Sequence, residues 1–197
     1  MTLAQTRLTL GDFLARPEID DSPAWEFLNG VPTQKPMPKL PHSRLQLRLA
    51  QAIESLAQPL GAIYAFPELR CTFSNRSLVL DIAILRREKI PLTPEGEMEN
   101  TAINQAPDWV IEILSPQQSA VKMLNKITLC LEQGCALGWL INPEEKSIVV
   151  YFPDRPPQIF SAVDGEIGRG DDPLTVLPGL DLTLTATRIF SWLKIDL

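Results

Sequence analysis

The sequence predicts a mixed α/β fold in which a central mixed β-sheet is flanked by α-helices, and three observations carry that reading. Apolar runs of strand length lie at 78–85, 109–114 and 137–141. Two segments, 43–58 and 118–133, carry apolar residues at the helical period. Strand 109–114, helix 118–133 and strand 137–141 follow one another as a βαβ crossover, which requires part of the sheet to be parallel. With 197 residues, 45% of them apolar and 21% charged, the chain suits one domain with a sizeable core.

Each element has its own warrant. Thr9 is placed to cap a short helix from Leu10, with Asp12 in the first turn. Trp25 to Val31 alternates and meets Asn29-Gly30, a tight-turn pair, so it reads as a hairpin. Four prolines between Pro32 and Pro41 predict a surface loop. In helix 43–58, Leu45, Leu49, Ala52, Ile53 and Leu56 form one apolar face, and Pro59 and Gly61 end it. Strands at 62–66 and 68–73 come next, then a turn at 74–77 into strand 78–85. Residues 86–106 are a long polar connection. Helix 118–133 presents Val121, Leu124, Ile127 and Leu131 as its stripe and stops at Gly134. Strand 137–141 pairs with 147–152, and an amphipathic piece at 189–193 closes the chain.

Composition removes several classes of function. A net charge of −6 argues against an unaided, non-specific grip on phosphate. No apolar stretch has membrane-span length, and the first residues lack the pattern of a signal peptide, so a cytoplasmic protein is expected. Cys71, Cys130 and Cys135 have no paired metal spacing and read as buried, reduced thiols.

The chemistry concentrates in two acids. Asp81 stands alone in Leu78-Val79-Leu80-Asp81-Ile82-Ala83-Ile84-Leu85, and Glu112 in Trp109-Val110-Ile111-Glu112-Ile113-Leu114. A carboxylate in an apolar strand is costly unless paired, hydrogen-bonded or bound to a metal. Alternation puts Asp81 on a face with Val79 and Ala83, and Glu112 with Val110 and Leu114. If the strands are neighbours, both acids point to one side and need a counter-charge. Mg²⁺ or Mn²⁺ suits carboxylate oxygens, and two structural carboxylates are the other reading. Lys122 and Lys126, four apart on the following helix, add positive charge, with Lys126 beside the core residues Leu124 and Ile127. His42, the only histidine, reads as a helix-start or surface residue, with an approach to the site mouth or a phosphate as the other reading, and Glu54 reads as solvated.

These segments resemble the PD-(D/E)XK nuclease-like superfamily and, within it, the Uma-type "putative restriction endonuclease" family. Trp25-Glu26-Phe27-Leu28-Asn29-Gly30 is similar to that family's YELIDG segment, and Leu80-Asp81-Ile82-Ala83 to its PDVA strand. Pro107 to Pro116 is similar to PDLVVEVLSP, Trp139 to Pro143 to WLVDP, and Leu177 to Leu180 to LPGF. His42 comes after a proline-rich loop, as in that family. The resemblance spans nearly the whole chain and implies a restriction-endonuclease-like fold. It implies that Asp81, Glu112 and the backbone carbonyl of Ile113 bind the metal, that Lys126 supplies the catalytic lysine, and that Glu68 is a further site acid. The chain departs from the pattern at Leu80, where the family has proline. It departs at Leu114, where the superfamily has its lysine, and at Lys122 and Asn125, where acids are usual.

The expected function is that of a Mg²⁺- or Mn²⁺-dependent endonuclease hydrolysing DNA phosphodiester bonds, working as a homodimer. The alternative is a nuclease-like scaffold without catalysis that acts as a binding or regulatory protein.

Overall fold

The computed structural model describes residues 8–57, 62–116, 118–163 and 168–195. Within them the elements run α1 (Leu10–Leu14), β1 (Trp25–Leu28), β2 (Val31–Gln34), α2 (Leu40–Ala57), β3 (Ile63–Phe73) and β4 (Arg76–Arg86). They continue as β5 (Trp109–Ile113), α3 (Ala120–Glu132), β6 (Leu137–Asn142), β7 (Ser147–Tyr151), β8 (Gln158–Ser161) and α4 (Ala186–Ser191). All eight strands join one mixed sheet in the order β2-β1-β4-β5-β6-β7-β8, with β3 on the other edge of β4. The β5–β6 pair is parallel and the rest are antiparallel, so the predicted α/β crossover through α3 is present.

Two apolar layers sandwich the sheet. Leu45, Leu49 and Ile53 of α2 and Ile189 of α4 pack with Ile82, Ile84, Trp109 and Trp139. Met123, Ile127 and Cys130 of α3 pack on the opposite face with Leu80, Ala83, Val110 and Leu140. Helix α3 lies close to β6 at Gly138, where a Cβ would collide with the Ile127 side chain. That close approach sets the height of α3 over β5.

Several expectations are corrected. The proline-rich segment begins as a strand, since β2 includes Pro32; an edge strand tolerates a missing N–H on its outer side. Strands 62–66 and 68–73 are one strand, β3, passing through Glu68 at φ +51°. The buried stripe of α3 is Met123, Lys126, Ile127 and Cys130, while Val121 is exposed, because the lysine charge finds partners inside. Residues 86–106 are tied down by Thr72 donating its N–H to the Ile103 carbonyl. The helix stop at Pro59 and Gly61 lies outside the described residues. The Asn29-Gly30 turn forms as expected, both residues having positive φ, as a tight hairpin requires. Cys71, Cys130 and Cys135 are buried free thiols.

Candidate metal centre

The site sits at a fork in the sheet. On one edge of β4, strand β1 pairs at Ser77 and β5 pairs at Ile82 to Ile84, leaving the stretch between them without a strand partner. Side chains fill the gap: Glu26 Oε1 accepts the Val79 N–H at 2.9 Å, and Lys126 Nζ donates to the Val79 carbonyl at 3.1 Å. On the opposite edge the β3–β4 ladder steps over Glu68 and Asp81, pairing Pro67 with Ile82 and Leu69 with Leu80. Left-handed backbone at a glutamate is sterically unfavourable and marks a place the surrounding structure holds for a reason. The pleat also changes face here. Leu78 and Leu80 join the same apolar layer as Ala83 and Leu85, which strict alternation forbids, so the predicted facing of Asp81 does not hold along the whole strand.

The register of β4 and β5, extended by one step, sets Asp81 opposite Glu112. Both are buried, and each belongs to a separate lysine cluster. Asp81 Oδ1 accepts from Lys35 Nζ at 2.9 Å, and Asp81 Oδ2 accepts the Ile113 N–H at 2.8 Å. Lys35 also reaches Glu68 Oε2 at 2.7 Å. Gln46 donates to both Glu68 Oε1 and the Asp81 carbonyl. His42 Nε2 lies 3.7 Å from Asp81 Oδ1, and Nδ1 is 3.1 Å from the Ser115 hydroxyl. In the second cluster Lys126 Nζ stands 2.8 Å from both Glu112 Oε1 and Glu26 Oε1.

Ionisation is set by this packing. Burial pushes Asp81 upward, but Lys35, His42, Lys126 and the Ile113 N–H outweigh it and hold the carboxyl below its usual range. Burial pushes Glu112 up to about 8; Lys126 opposes the rise and the facing Asp81 adds to it. Burial lowers Lys35 and Lys126, yet the acids around each ammonium raise both above the ordinary lysine value.

The donor set fits a divalent cation. One oxygen of Glu68, one of Asp81 and one nitrogen of His42 all lie within 4.8 Å of one another. His42 Nε2 is buried with no hydrogen-bond partner, and so is Glu112 Oε2. With every acid ionised, four carboxylates face two ammonium groups, so the fork carries a net negative charge that favours a bound cation. A cavity of about 320 Å³ opens onto Lys35, His42, Glu68, Asp81 and Ser115, giving solvent and ligands access.

Of the residues singled out in the sequence, Asp81, Glu112, Ile113, Lys126 and Glu68 all gather at this fork. Ile113 meets Asp81 through its N–H. Lys122 is exposed, and Glu54 instead accepts the Ala65 N–H to tie α2 to β3. His42 is buried in the cavity wall, not at the surface. Sequence reasoning missed Lys35, Glu26 and Gln46. Glu26 carried a signal, an acid inside the alternating Trp25–Leu28 strand; Lys35, in a proline-rich stretch, carried none.

A family model for Uma2, described as "Putative restriction endonuclease", matches residues 10–186. The crystal structure of a "putative nuclease belonging to DUF820" from Anabaena variabilis ATCC 29413 superposes with a TM-score of 0.87 at 38% sequence identity, covering 95% of this chain and 99% of that one. No curated protein matches the chain.

Proposed function

The chain belongs to the Uma2 "putative restriction endonuclease" family, and on that premise we propose that it is a metal-dependent endonuclease acting on the phosphodiester bonds of DNA. The observation that carries this reading is Asp81: a buried carboxylate on the wall of an open cavity, with one oxygen fixed by the Ile113 N–H and the other facing an unpartnered His42 nitrogen. A divalent cation there would supply a Lewis acid for a phosphoryl oxygen and would attract a phosphate that a chain of net charge −6 otherwise repels. Asp81 and Glu68 hold the cation. Lys126, enclosed by Glu26 and Glu112, acts on Glu112 and not on the phosphate, so it is a positioning residue. Glu112, buried opposite Asp81 and held by Lys126, is likewise a positioning residue.

The test is DNA cleavage by purified protein with Mg²⁺ and with Mn²⁺, beside Asp81→Ala. Cleavage by the wild type and loss of about a thousandfold or more in the variant is the expected result. A second reading is favoured by the lysines: Asp81 and Glu112 each have an ammonium partner without any metal. A wild type that neither binds metal nor cuts DNA would establish that catalytically silent scaffold instead.

A further inference from the structure

We propose that the cation is held by His42, Glu68 and Asp81, in the place that the Lys35 ammonium takes, and that its nitrogen ligand selects Mn²⁺-type ions over Mg²⁺. The inference rests on the metal-dependent reading above and names the ligand class of that site.

Three observations carry it. The first is position. Lys35 Nζ makes contacts of 2.7 and 2.9 Å to Glu68 and Asp81, so a positive charge already sits between these two carboxylates. An ammonium and a divalent cation cannot share that space. Lys35 has a flexible four-carbon stem and lines the open cavity, so it can swing outward and leave the acids to the metal.

The second observation is the histidine. Its side chain is only 6% exposed, and Nε2 has no hydrogen-bond partner although it points at Asp81 Oδ1 from 3.7 Å. A buried polar atom without a partner is costly. Donors 3.7 Å apart lie within the roughly 4 Å that two atoms bound at about 2.1 Å to one ion can span. The third is the Ser115 hydroxyl at Nδ1. If Nδ1 carries the proton and donates to Ser115, Nε2 presents its lone pair to the cavity, which is how a histidine ligand is normally oriented.

Glu112 stays outside this set because Lys126 clasps it from the α3 side. The nitrogen sets the preference. Mg²⁺ takes oxygen ligands and keeps its waters, whereas imidazole suits transition metals.

The experiment is titration of the full chain with Mn²⁺ and with Mg²⁺ by calorimetry, together with pulsed EPR of the Mn²⁺-loaded wild type. Expected are Mn²⁺ binding at least about tenfold tighter than Mg²⁺ and a nitrogen coupling from one imidazole on the manganese. His42→Asn should lose that coupling and most of the Mn²⁺ preference while Mg²⁺ affinity changes little. Lys35→Met should bind both ions more tightly. Mn²⁺ bound without nitrogen coupling in the wild type overturns the proposal, as does equal affinity for the two ions or no binding at all. Because the EPR reads the wild type, a variant that fails to fold leaves the test intact. Metal-dependent DNA cleavage without nitrogen coupling would overturn this ligand assignment while leaving the nuclease reading standing.

Discussion

Two lysines occupy neighbouring carboxylate clusters at one fork in the sheet, yet their surroundings differ. Lys126 is sealed: it comes from α3, is 2% exposed, bridges Glu26 and Glu112, and donates to the Val79 carbonyl that no strand reaches. Lys35 is less enclosed: it comes from the segment after β2, its side chain is 9% exposed on the cavity wall, and its partner Glu68 has a side chain 45% exposed. The first cluster replaces missing sheet hydrogen bonds and locks β1, β4, β5 and α3 together. The second cluster carries no strand pairing through its lysine, whose ammonium contacts only the Glu68 and Asp81 carboxylates. One kind of interaction therefore serves as rigid support in the first cluster and as a local charge balance in the second.

The largest effect that can break this contrast is Lys126→Met. Removing one partner from a buried ion cluster leaves uncompensated charge, and Glu112, Glu26 and the Val79 carbonyl would all lose it. The expected loss is about 3–5 kcal/mol of unfolding free energy, read by urea denaturation. A loss below about 1 kcal/mol would mean that the sealed cluster is not the support described.

How much of this was legible in the sequence depends on the residue. The strands around Asp81 and Glu112 could be read because a lone acid in an apolar run is a local signal. The βαβ unit could be read because β5, α3 and β6 are consecutive in the chain. Lys35 could not, since a chain reversal at Asn29-Gly30 places β2 outside β1, and only the segment after β2 reaches Asp81 of β4. Glu68 gave only a faint signal, because the left-handed backbone that aims it is invisible in composition. The buried face of α3 was misplaced by the same logic: periodicity assumes that lysines face water, and Lys126 does not.

A second effect comes from Glu112. In the unfolded chain its carboxyl titrates near 4.5, and in the folded protein near 8. Between these values the folded metal-free protein binds a proton that the unfolded chain lacks, so stability falls as pH rises across that window. Glu112→Gln should flatten this slope, since an amide does not titrate. Chemical denaturation at a series of pH values between 4.5 and 8, with chelator present, reads it directly. A wild-type slope no steeper than that of Glu112→Gln would show that Lys126 keeps Glu112 ionised throughout, and the sealed cluster would then be a permanent ion pair.

The smallest effect concerns Lys35. Lys35→Met removes an ammonium from Glu68, which is half in water, and from Asp81, which is buried but keeps the Ile113 N–H. The exposed pair contributes little and the retained N–H limits the cost at Asp81, so the expected loss is about 1–2 kcal/mol in metal-free protein, below that of Lys126→Met. The comparison is sharpest when the two lysine variants are measured side by side in the same denaturant series. If Lys35→Met costs as much as Lys126→Met, then Lys35 is also a structural clamp, and a cation could not take its place without unfolding part of the sheet. If the cost is small, the energy that holds the acids in position resides in Lys126, the Ile113 N–H and the strand pairing, and the place between Glu68 and Asp81 is free to change its occupant.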